Sequence, residues 1–211
     1  MTVASSAIDL SGRVAIVTGA AGGLGRAYGI ALAARGAAVL VNDLGGATDG
    51  RGSSPLLAEA VAEEIRASGG RALANADTVA TMSGGQSICD AAIDAFGRID
   101  IVVANAGNQR NARFADMTEA DFDAVIDVHL KGCFHTVQPA YRHMCEQGYG
   151  RIILTSSQSG VWGNPYRANY GAAKMGVLGL MHVIAQEAPP GILINAVMPN
   201  ASGSRMGAPS R

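Results

Sequence analysis

This chain of 211 residues has no marked excess of positive or negative charge. Sixteen lysines and arginines against 17 acidic residues leave a formal net charge of −1. No basic face for nucleic acid or an anionic membrane is expected. Cysteine is sparse: Cys89, Cys133 and Cys145 are odd in number and widely spaced. With no C-x-x-C pair, a disulfide framework or metal site is not expected, and a reducing, cytoplasmic setting fits. No apolar run approaches the ~20 residues of a membrane helix. Met1 to Leu10 lacks the basic segment and long apolar core of a secretory signal. Aromatics make up 5% of the chain, whereas glycine numbers 28 and apolar residues reach 48%. Small residues of this kind let helices lie close on a sheet, and the length suits one domain spanning 1–211.

Apolar runs of strand length recur, with helical patterns between them. Strands are predicted at Val14–Thr18, Ala38–Asp43, Ala72–Asn75, Ile99–Ala104, Arg151–Ser156 and Leu193–Met198. Helices are predicted at Leu24–Arg35, Leu56–Ser68, Ser83–Phe96, Glu119–Gln147 (two helices or one broken one) and Asn169–Glu187. This alternation implies βαβ units: an α/β, Rossmann-like, doubly wound parallel sheet with helices on both faces.

The first strand runs into Thr18-Gly19-Ala20-Ala21-Gly22-Gly23-Leu24-Gly25 and then a helix. Strand, glycine turn and helix place a helix N-terminus against a phosphate, so a bound dinucleotide is expected. Asp43 closes the second strand, 18 positions after Gly25. A carboxylate near that spacing accepts from ribose hydroxyls and repels a 2′-phosphate, favouring NAD over NADP; capping the strand end is the alternative. The glycine-rich loop Leu44 to Pro55 exceeds the ~2–6 residues usual for such connections and is expected to be mobile. Asp77 follows the third strand, where it could accept from an adenine amino group or serve as a surface aspartate. Asn105-Ala106-Gly107 ends the fourth strand at the ligand-binding edge. Asn105 could tie strand ends together or touch the cofactor, and the two are compatible.

Ser157 follows a strand that ends in hydroxyls. Tyr170 and Lys174 come next at i, i+4 spacing on one helix face. A phenol of reference pKa ~10 is a poor base at neutral pH, and a neighbouring ammonium favours its phenolate. That pair can exchange a proton with an alcohol or carbonyl, while Ser157 hydrogen-bonds the same oxygen.

Thr18-Gly19-x-x-x-Gly23-x-Gly25, Asn105-Ala106-Gly107, Ser157 and Tyr170-x-x-x-Lys174 together resemble the short-chain dehydrogenase/reductase family, over almost the whole chain. The resemblance implies NAD held by Gly19, Gly23, Leu24, Gly25, Asp43, Asp77, Asn105, Ala106, Gly107, Tyr170 and Lys174. It implies Tyr170 as general acid/base, Lys174 on the nicotinamide ribose, Ser157 on the substrate oxygen, and a homodimer or homotetramer.

Val41-Asn42-Asp43-Leu44-Gly45-Gly46, Val128-His129-Leu130-Lys131-Gly132 and Met198-Pro199-Asn200 with Ser204-Arg205-Met206 are similar to one branch of that family. It comprises the (3R)-hydroxyacyl-CoA dehydrogenase portions of type 2 peroxisomal multifunctional enzymes and their bacterial single-domain relatives, some of which act on steroid hydroxyls. His129 stands where most of the family has an asparagine that supports a proton-relay water; bonding to a backbone carbonyl is its other reading. The family normally continues with a helical lid and a seventh strand, so six strands and a truncated C-terminus are expected here. Gln186 to Gly191 looks short for its helix-to-strand connection. A catalytically silent NAD-binding or interaction protein, or an inactive fragment, is therefore the competing expectation. Gln158 and Tyr166 are candidate specificity residues. Trp162 either lines the pocket mouth or packs under a loop. Arg205 is a candidate for a CoA phosphate. His135, His143 and His182 have no metal-ligand spacing.

Overall fold

The computed structural model describes residues 8–200. Six parallel strands form one sheet in the order β3-β2-β1-β4-β5-β6. They are β1 (Val14–Thr18), β2 (Ala38–Asn42), β3 (Arg71–Asn75), β4 (Ile101–Ala104), β5 (Gly150–Thr155) and β6 (Ile192–Val197). The helices are α1 (Gly23–Ala33), α2 (Pro55–Ala67), α3 (Met82–Phe96), α4 (Glu119–Ile126), α5 (Gly132–Gln147), α6 (Gln158–Trp162) and α7 (Ala168–Glu187). β1 has the predicted bounds, and the other strands differ from those predicted by one or two residues. β2 stops before Asp43 because that side chain turns to the loop amides, and β4 starts after Asp100, which is committed to a buried ion cluster. The short helix α6 is not visible as a periodic pattern, since five residues make little more than one turn.

Successive strand side chains point to opposite faces, and each face has its own core. Ala15, Val17, Val39 and Val41 pack against Ala33 of α1 and Ala58, Val61 and Ile65 of α2. Ile16, Leu40, Val102 and Ile152 pack against Ile88 and Ala92 of α3, Val137 and Met144 of α5, and Val177 of α7. Strand order reverses direction between β1 and β4, which opens a crevice at the carboxyl ends of the strands.

The stretch predicted as two helices or one broken one is a helix interrupted by a π turn over Asp127–Lys131, between α4 and α5. Four residues join α7 to β6. The connection closes because Gly191 adopts φ +100°, where an added Cβ would lie 2.3 Å from the Gly148 carbonyl.

At the opposite end of the sheet Asp100 is fully buried. It accepts from Arg98 Nε and Nη2 (2.7 Å each), Arg13 Nη1 (2.9 Å) and the Val14 amide (2.9 Å). Burial would raise its pKa, but the hydrogen bonds from Arg98, Val14 and Arg13 outweigh that and hold it below 3.8.

Candidate active site

The glycine turn is built by close approach. The Thr18 hydroxyl accepts the amides of Asn105 (3.0 Å) and Ala106 (3.1 Å). The Asn105 side chain donates back to the carbonyls of Thr18 (3.1 Å) and Gly19 (3.2 Å). Asn105 therefore ties the ends of β4 and β1 together, the first of its two readings. Gly19 has φ +66°, and a Cβ there would lie 2.7 Å from Ala106 Cα. A Cβ on Gly25 would lie 2.1 Å from the Gly19 carbonyl oxygen, so only glycine lets α1 start this close to the turn. At Gly23 (φ +52°) a Cβ would meet nothing within 4 Å.

One cavity of about 390 Å³ runs from this turn to Tyr170. Gly19, Gly23, Leu24, Asp43, Asp77, Asn105, Ala106, Gly107, Ser157, Tyr170 and Lys174 all line it. Gly25 acts beneath it, through packing. Asp43 accepts the amides of Ala21 on Oδ2 (2.9 Å) and Gly45 on Oδ1 (2.8 Å). It thus anchors two turns, and a carboxylate with one amide on each oxygen keeps a lone pair on both. Asp77 Oδ2 accepts from Asn75 (2.8 Å) and Ser87 (2.7 Å), which places it in a polar network at the end of β3.

The glycine-rich loop is hydrogen-bonded at both its neck and its tip. Its neck closes through Ser54 N–H to the Leu44 carbonyl, 2.9 Å. Its tip receives the Gln109 amide on the Thr48 carbonyl (2.8 Å) and Arg110 Nε on the Asp49 carbonyl (2.7 Å). Its partners lie some sixty residues on, beyond the reach of local composition.

At the other end of the cavity, Ser157 caps α6, its hydroxyl accepting the Ser159 amide at 3.2 Å. Gly160 lets α6 lie on α7, because a Cβ there would come within 2.8 Å of the Met175 nitrogen. Lys174 is 2% exposed and donates to the Thr155 carbonyl at 2.5 Å. Its ammonium lies 5.6 Å from the centre of the Tyr170 ring. Burial pushes its pKa from 10.5 down to about 8, with Cys133 opposing. Ser156 secures the same turn of α7, its hydroxyl donating to the Lys174 carbonyl at 2.8 Å.

His129 sits in the π turn, 1% exposed, with its ring edge-on to Tyr170 at 5.1 Å between centres. Its Nε2 lies 3.0 Å from the Asn108 amide and 2.9 Å from the Asn108 carbonyl, the backbone contact that was its second reading. Burial, reinforced by the Lys174 charge and opposed by the Asn108 bond, lowers its pKa to about 3, so the ring is neutral at physiological pH. Gly107 makes room for it: a Cβ there would be 2.4 Å from His129 Cε1.

Asn169 was not singled out from the sequence. It is 1% exposed and donates to the carbonyls of Arg110 (2.8 Å) and Asp121 (2.9 Å) while accepting the Tyr170 amide (2.7 Å). Its place directly before Tyr170 is the one signal in the chain that could have found it. Gln158 lines the cavity. Tyr166 lines a second, adjoining pocket with Asn111, Asn164, Pro165 and Arg167. Trp162 is 83% exposed, which overturns packing under a loop, and it does not line the cavity. His135 Nδ1 binds the Val79 carbonyl at 2.9 Å. No group of metal-ligating side chains occurs among the described residues. Ser204, Arg205 and Met206 lie outside them.

Residues 13–211 match the profile of the family described as short chain dehydrogenase. The chain is 49% identical over 203 residues to the peroxisomal multifunctional enzyme type 2 of Mus musculus, covering 96% of this chain and 27% of that protein. It is 49% identical over 191 residues to a putative short-chain type dehydrogenase/reductase of Mycobacterium tuberculosis, covering 90% and 67%. The crystal structure of a short chain dehydrogenase from Mycobacterium avium superposes with a TM-score of 0.84 at 42% identity, covering 92% of this chain and 70% of that one. The chain thus spans about a quarter of the mouse protein.

Proposed function

This chain belongs to the short chain dehydrogenase family, and from that premise we propose that it transfers a hydride between NAD and a secondary alcohol or its ketone. A (3R)-hydroxyacyl-CoA is the favoured substrate and a hydroxysteroid the lesser one. The observation that carries this reading is the cavity itself. Its glycine turn and Asp43 lie at one end, and Ser157, Tyr170 and Lys174 at the other.

The residues present fit a nicotinamide dinucleotide. The open floor at Gly23 and the N-terminus of α1 suit a pyrophosphate. The remaining lone pairs of Asp43 suit unphosphorylated ribose hydroxyls, which favours NAD. The cofactor supplies the hydride chemistry, and the chain supplies position and proton handling. Tyr170 takes the hydroxyl proton in the oxidative direction. Ser157 holds the substrate oxygen, where charge develops. Lys174, fixed by Thr155, holds positive charge beside the Tyr170 ring and would hold the nicotinamide ribose. His129 is assigned to orienting Tyr170 and the Asn108 backbone.

The free cysteines (Cys89 and Cys133 buried, Cys145 half-buried) support a reducing, cytoplasmic setting, and a homodimer or homotetramer is proposed with it. Replacing Tyr170 with phenylalanine tests the reading. Turnover of (3R)-hydroxyacyl thioesters should fall by about 10³-fold or more, with NAD affinity within a few-fold of the parent. Retained turnover would refute the role of Tyr170.

A further inference from the structure

Four charged side chains line the cavity: Asp43, Asp77, Lys174 and Arg167. The first three have partners in the fold. The Arg167 guanidinium makes no hydrogen bond or ion pair among the described residues, and it lies over the Tyr170 ring, its carbon 5.8 Å from the ring centre. It also lines the second pocket beside the cavity, with Asn111, Asn164, Pro165 and Tyr166. The residue before it, Tyr166, has φ +67°, the one non-glycine positive φ among the described residues. That conformation is disfavoured for a side chain with a Cβ and gathers at functional sites. It is held here by the Ala112 amide on the Tyr166 carbonyl, 3.0 Å.

A guanidinium that lies over an aromatic ring in a cavity wall keeps its N–H donors for an acceptor oxygen. The glycine turn and both aspartates occupy the far end, so that oxygen belongs to the substrate and lies a few bonds from the reacting carbon. In a 3-hydroxyacyl thioester the thioester carbonyl is two carbons from the hydroxyl-bearing carbon. The phosphates of CoA lie far along the pantetheine arm, and a hydroxysteroid offers only hydrocarbon at that distance. We propose that Arg167 is a specificity-determining residue that donates to the thioester carbonyl, so that the site selects β-hydroxy or β-keto thioesters over isolated secondary alcohols. This deepens, and rests on, the dehydrogenase reading above.

The test compares the parent, R167M and R167K on two compounds. One is the (3R)-hydroxybutyryl thioester of N-acetylcysteamine, which carries no phosphate. The other is 2-butanol. The ratio of kcat/KM for thioester over alcohol should drop about 10- to 100-fold in R167M, the range for a hydrogen bond to a charged group. R167K should recover part of it, since a point charge lacks the guanidinium fork. A parallel fall on both compounds, or an unchanged ratio, overturns the proposal. So does a loss seen with the CoA ester and not with the N-acetylcysteamine ester, which would place Arg167 against the phosphates. A parent that turns over neither compound refutes the dehydrogenase reading. Arg167 is then judged by calorimetry with the acetoacetyl thioester of N-acetylcysteamine on the NADH-loaded protein. Binding weakened tenfold or more in R167M supports it, and equal or absent binding in the parent overturns it.

Discussion

Replacing Lys174 with methionine (K174M) keeps an unbranched chain and removes a buried charge. Two opposing effects follow. Burial lowers the lysine pKa from 10.5 to about 8. At neutral pH the charged form therefore costs the fold about 3 kcal/mol. Methionine removes that cost, but leaves the Thr155 carbonyl without its 2.5 Å donor, a loss of about 1–3 kcal/mol. K174M should thus be as stable as the parent at pH 7, or more so, while losing turnover. The sign reverses with pH. Between pH 8 and 10.5 the folded lysine has lost its proton and the unfolded one has not, so parental stability rises with pH. Above 10.5 both are neutral and the cost is gone. Urea unfolding of the cofactor-free proteins across pH 7 to 10.5 reads the difference directly, and subtracting the two profiles cancels titrations they share. Parallel profiles, or a K174M deficit of the same size at both ends, would refute the account.

Gly25→Ala would place a methyl 2.1 Å from a backbone oxygen that has no room to yield. It should destabilise by about 1–3 kcal/mol and weaken NAD binding at least tenfold, read by thermal unfolding and fluorescence titration; normal affinity would contradict the close-approach argument. Asp43→Asn removes the charge and one amide acceptor. Its ratio of kcat/KM for NADP over NAD should rise about tenfold or more, and an unchanged ratio would reject Asp43 as the selector. Asp100→Asn breaks the buried cluster with Arg13 and Arg98 and should cost about 3 kcal/mol at neutral pH. Because the folded pKa of Asp100 lies below 3.8, the parental advantage should persist above that value and fade as pH drops through the lower one. Denaturant midpoints from pH 2 to 7 would show it, and an advantage that survives at pH 2 would count against it.

Local pattern determined a good deal about this protein. Strand and helix alternation reports short-range periodicity, which is why all six strands and five helical regions were legible to within a residue or two. The Tyr170–Lys174 pairing follows from helix pitch, and the glycine turn from the backbone freedom of Gly19 and Gly23. Tertiary structure decided what the polar residues are occupied with. Asn105 became a strand tie because β4 lies beside β1, 87 positions away in the chain. The loop after Asp43 is pinned because Gln109 and Arg110 descend on it from the end of β4. His129 turned inward because a π turn in a long helix rotates it onto Gly107 and Tyr170. Asn169 and Arg167 flank one alanine, yet the side chain of one is spent on three hydrogen bonds and that of the other lines the cavity over the Tyr170 ring. Such assignments depend on which donors and acceptors meet across the fold, and chain spacing carries no record of that.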